Sequence, residues 1–99
     1  MKVIKTKKMD GCFESSNARD IMLDGIITFE FIQYLGKLGK LIYNDKINNP
    51  FFIVMVRGKC TIKGSQGNKS IRVLLPVTFW EEIIEELKEF IEKYGEELN

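Results

Sequence analysis

Apolar residues recur along this chain with two different periods, and the switches between them mark its elements. "KVIKTKK", Lys2 to Lys8, alternates imperfectly and is rich in β-branched side chains, which predicts a half-exposed strand of the kind found at a sheet edge. "SSNARDIMLDG" reads as a short helix after residue 16: Ser16 or Asn17 is placed to cap it, and Gly25 to close it. From Phe31 the period becomes helical. Phe31, Tyr34, Leu35 and Leu38 stand at i, i+3, i+4 and i+7, with Glu30, Gln33 and Lys37 on the other side. This predicts a helix over about 28–38, capped by Thr28 and ended by Gly39, with Gly36 marking close packing or an earlier end.

"KLIYN" is a short strand, and "NDKINNP" is turn material. Phe51 to Arg57 is almost wholly apolar, as in a central strand covered on both faces or nearly so, and Gly58 introduces a bulge or bend after it. Cys60 and Ile62 then alternate with Lys59, Thr61 and Lys63. "GSQGN" is a hairpin loop, after which Ile71, Val73 and Leu75 alternate with Ser70 and Arg72. Pro76 stops that strand. Thr78 to Glu81 match the capping box S/T-x-x-E, opening a helix over about 78–94. Its apolar stripe is Trp80, Ile83, Ile84, Leu87, Ile91 and Tyr94. The resulting order is strand, short helix, helix, three strands, helix. The expected fold class is α+β: a small, largely antiparallel sheet with two main helices packed on one face.

With 99 residues the chain is expected to form a single domain spanning 1–99, able to bury a core without disulfides or metal. Its longest apolar run, Phe51 to Val56, is too short to cross a bilayer, and the N-terminus lacks the apolar region of a signal peptide. A cytoplasmic location with no membrane partner is expected. There is no histidine. That excludes His-based general bases, Cys–His dyads and His-containing zinc sites, so neither a metal nor a cofactor is expected. Two cysteines, Cys12 and Cys60, form no C-x-x-C pair and read as free thiols.

Charge is split along the chain. Residues 1–76 carry 13 Lys and Arg against 6 Asp and Glu, a net +7; residues 77–99 carry 2 against 8, a net −6; the whole carries +1. Lysine-guarded sheet rims and a solvated helix face account for most of this. A sharper reading concerns Arg57, Lys59, Lys63, Lys69 and Arg72, which lie on two neighbouring strands and their loops. Several share the outward face by alternation, giving a basic stripe able to follow a phosphate backbone. Single-strand readers also stack bases on exposed aromatics, and none lies between Arg57 and Arg72.

Other candidates are weaker. Cys12, ahead of the short helix and near Lys7 and Lys8, has features that activate a thiolate, but Asp10 and Glu14 oppose this and no base is at hand. Cys60 is expected on the inward strand face. "GKLGK", Gly36 to Lys40, lacks phosphate-loop spacing and ends a helix, where the dipole repels anions. Asp10, Glu14, Asp20 and Asp24 do not match an EF-hand, and Ser15 and Ser16 lack a base.

With "MDGCF" after the first strand, "IRVLLPVTFW" entering the last helix, and heavy use of Lys, Ile and Asn, the chain resembles a small family of uncharacterised proteins of unknown function from methanogenic archaea. The resemblance covers nearly the whole chain. It implies a compact α+β domain in a cytoplasmic archaeal setting and carries over no functional residue. The function expected is therefore a small non-catalytic interaction or regulatory module with a protein partner. Nucleic-acid binding by the basic sheet face is the alternative, and a thiol-dependent enzyme or redox protein using Cys12 is the second alternative.

Overall fold

The computed structural model describes residues 1–8, 17–46, 48 and 50–94. Six strands form one antiparallel sheet: β1 (Val3–Lys8), β2 (Ala18–Leu23), β3 (Lys40–Asn44), β4 (Phe51–Val56), β5 (Cys60–Ser65) and β6 (Ser70–Leu74). Their spatial order is β1-β2-β6-β5-β4-β3. Helix α1 (Phe29–Leu35), extended by a 3-10 turn over Gly36–Leu38, connects β2 to β3, and α2 (Trp80–Glu92) follows β6. No described helix is long and apolar enough to cross a membrane.

Strand alternation decides which side chains meet the helices. Ile21 and Leu23 of β2, Ile71 and Val73 of β6, Ile62 of β5, and Phe52 and Val54 of β4 are all at most 2% exposed. They meet Phe31, Ile32 and Leu35 of α1 and Ile84, Leu87 and Ile91 of α2 in one core. The two helices are joined by aromatic rings. Tyr34 stacks on Phe90 with centroids 4.3 Å apart, and its hydroxyl donates to the Phe90 carbonyl at 2.5 Å. The Thr28 cap forms as the sequence suggests, its hydroxyl oxygen accepting from the Phe31 amide at 3.1 Å. Gly36 is where the α-helix tightens into the 3-10 turn.

Four expectations change. The segment read as a short helix after residue 16 is β2, a strand hydrogen-bonded to β1 on one side and β6 on the other. Ile21 and Leu23 face the core while Asp20 and Met22 face away, and Met22, being apolar, hides that two-residue period. Asn17 stands ahead of a strand rather than a helix, and its side-chain amide donates to the Pro76 carbonyl at 3.1 Å. Gly58 is not a bulge within one strand but the left-handed residue, φ 77°, of the tight turn joining β4 to β5.

The capping box at Thr78 to Glu81 does not form either. Helix α2 begins at Trp80, and its cap is Phe79 at φ 62° with no side-chain hydrogen bond. Trp80 lies under the Arg19 guanidinium, 4.3 Å from the ring centroid. The chain reaches that position by turning left-handed at Phe79, which leaves Thr78 outside the helix. The fourth change concerns β4, of which the described helices cover one face only. Phe52 and Val54 are fully buried, whereas Phe51 and Ile53 are half-buried and Met55 is exposed.

Candidate interaction face

One side of the sheet has no described helix over it and carries both charged and apolar side chains. One register row runs straight across it: Lys7, Asp20, Arg72, Lys63, Ile53 and Ile42, one residue from each strand. On either side of that row lie Phe51 and Met55, by the two-residue period of β4. The face therefore grades from charged, over β1, β2, β6 and β5, to largely apolar over β4 and Ile42 of β3, with Lys40 at the edge beside Met55. Ile42 is 40% and Met55 39% exposed, and no described helix lies over them. Large apolar side chains left contiguous in water mark interaction sites more often than scattered ones do. A concavity of about 440 Å³ opens where the two halves meet, lined among others by Asp20, Phe51, Ile53, Lys63, Ser70 and Arg72.

The five basic residues singled out in the sequence do not form one stripe. Lys63 and Arg72 are cross-strand neighbours on the open face. Arg72 donates its Nε to Asp20 Oδ1 at 3.2 Å, so part of its charge is already answered. Lys59 departs from the alternation because the Gly58 turn carries it toward α2, where its ammonium is 3.1 Å from Glu86. Arg57 shares that turn and is exposed. Lys69 precedes β6 at the opposite end of the sheet, about 17 Å from the Lys59 turn at 3.3 Å per strand residue. Its carbonyl accepts from the Leu23 amide. Phe51, in contrast, joins Lys63 and Arg72 on one face, an aromatic that the all-apolar run around it concealed.

Cys60 faces the helices and packs half-buried against the core, as a free thiol. Burial pushes it up from an ordinary 9.0 to about 11, against a smaller opposing pull from Lys59. The folded thiol thus keeps its proton where the unfolded one has lost it. The stability it contributes is complete below pH 9.0 and is lost as pH rises through about 11. Alkylation of Cys60 in the native protein is expected to be slow at pH 8 and to reach half its limiting rate near pH 11. A midpoint at or below 9.0 would show an exposed, ordinary thiol.

Cys12 lies outside the described residues, as do Asp10, Glu14, Ser15 and Ser16. Of the four acids considered as cation ligands, Asp20 is engaged by Arg72 and Asp24 accepts the Lys2 amide at 2.9 Å. Among the described residues no group of three or more Cys, Asp or Glu side chains is arranged to hold a metal ion. Gly36 to Lys40 runs through the 3-10 turn into β3. Gly39 there packs so closely that a Cβ would lie 2.2 Å from the Met55 carbonyl oxygen, which accounts for that glycine without a phosphate.

No family model, no curated protein and no solved structure matches this chain.

Proposed function

We propose that this protein is a non-catalytic interaction module that docks an acidic protein surface bearing apolar side chains onto the open face of its sheet. The observation that carries the reading is the apolar set of exposed Ile42 and Met55 with half-buried Phe51 and Ile53, lying beside Lys63 and Arg72 on one face. The charge of the face selects the partner. Lys5, Lys7, Lys63 and Arg72 lie in its rows against the single acid Asp20 among the described residues. Two copies of this face brought together would oppose cation to cation, which disfavours self-association through it. Six strands at about 4.8 Å and six residues at about 3.3 Å span roughly 570 Å², the per-partner area of a small, transient interface. A free, half-buried Cys60 accords with a reducing compartment, and we place the protein in the cytoplasm, in the archaeal setting that its resemblance implies.

A second reading, nucleic-acid binding, is favoured by one observation: Phe51 shares its face with Lys63 and Arg72. Asp20 beside Arg72 on that face and Glu86 beside Lys59 weaken it.

A photo-crosslinking residue at position 42, in the edge strand of the face, separates the readings. The expected product is one acidic protein that rebinds in purified form to the unmodified chain. A crosslink to RNA or DNA, to a second copy of this chain, or to nothing would overturn the proposal.

A further inference from the structure

A second concavity, about 460 Å³, lies on the helix side of the sheet, at the end where β4 turns into β5. Its walls are apolar: Leu38 from the 3-10 turn, Val56 and Cys60 from the β4–β5 hairpin, and Ile83 and Leu87 from α2. Its mouth is cationic: Lys40, Arg57 and Lys59 surround it, with Glu86 as the one acid lining it. Lys59 and Glu86 offset each other across 3.1 Å. Among the described residues neither Lys40 nor Arg57 has an ion-pair partner, so the mouth keeps an excess of positive charge. The Cys60 thiol lines the cleft and is held neutral there by desolvation, even with Lys59 adjacent. Gly39 lets the 3-10 turn lie directly on the Met55 carbonyl, which fixes one lip against β4.

Apolar walls of this volume with a few charges at one end are the pattern of a small-ligand site. We propose that this cleft binds a small organic anion with an apolar tail, the tail against Cys60, Ile83 and Leu87 and the anionic head at Lys40 and Arg57. The inference does not rest on docking at the open face: the apolar walls lie on the helix side of the sheet, and only the edge residues Lys40 and Met55 border both sites. The walls select for the tail: a bare inorganic anion gains nothing from them and would leave them in water. The mouth selects for the head: a neutral amphiphile meets the walls but leaves two cations unanswered.

The test titrates the full chain with octanoate, 1-octanol and inorganic phosphate, following backbone amide shifts by NMR. Octanoate is expected to give saturable shifts confined to residues 38–41, 55–60 and 83–87, and to slow alkylation of Cys60. Octanol is expected to bind roughly tenfold more weakly and phosphate not measurably. Arg57→Glu and Lys40→Glu change exposed residues and each should weaken octanoate about tenfold while leaving octanol unchanged. If one of them fails to fold, the other carries the same test. Equal affinity for octanoate and octanol would overturn the anion site, equal affinity for phosphate would overturn the apolar one, and scattered or non-saturating shifts would overturn both.

Discussion

Replacing Phe52 by alanine is expected to lower the unfolding free energy by about 3–5 kcal/mol. Domains of this kind hold only about 5–15 kcal/mol in total, so the variant should sit close to global unfolding at room temperature. The size of the effect follows from position. Phe52 is fully buried on the helix face of β4, and its ring packs over Gly64, its cross-strand partner on β5, and beside Ile71 of β6. A Cβ built on Gly64 would approach that ring to 2.8 Å, so the glycine is the space into which the ring fits. Alanine at 52 removes the ring and leaves a void that the flanking strands cannot close, since both are hydrogen-bonded in register. Urea unfolding measures the loss as a lower midpoint at unchanged slope. The same geometry predicts coupling: Gly64→Ala should be destabilising in the parent and less so alongside Phe52→Leu. Additive costs for that pair would mean that ring and glycine do not meet.

The converse is expected one residue along. Ile53→Glu should leave the unfolding free energy within about 1 kcal/mol of the parent, because Ile53 is only half-buried and points away from the core. It should nevertheless weaken the acidic protein partner roughly thirtyfold, about 2 kcal/mol, the cost of losing an anchor near the centre of an interface. The two adjacent residues of one strand thus separate the two duties of the sheet. Phe52 holds the helices and Ile53 meets the partner. Equal losses of stability in both variants would mean that β4 is buried on both faces.

That last alternative is what the sequence of β4 suggests, and the reason is instructive. Phe51 to Val56 are all apolar, so no alternation distinguishes the two faces. The information lies on the neighbouring strand, where Lys63 faces Ile53 and Ile62 faces Val54, and it becomes legible only once the register is known. The helix face was easier to see. The stripe from Ile83 to Ile91 and the Thr28 cap follow from helical spacing and side-chain chemistry alone, and both stand in the structure. The β2 segment reads as a helix because Asn17 and Gly25 carry helix-end chemistry whether or not a helix lies between them. Pairing with β1 and β6 overrides that local preference. The site shows the same division. Alternation alone places Lys63 and Arg72 together, but it does not pair Asp20 with Arg72, since the two are 52 positions apart and the local pattern around Asp20 is that of a helix.

The measurement that bears most directly on the docking face is shift mapping of the ¹⁵N-labelled chain with the captured partner, purified and added to saturation. The expected perturbations run across the open face, through Ile42, Ile53, Lys63 and Arg72 and the flanking positions Phe51 and Met55, and leave α1 and α2 unmoved. Perturbations centred on the acidic surface of α2, with the open face silent, would contradict docking on the sheet.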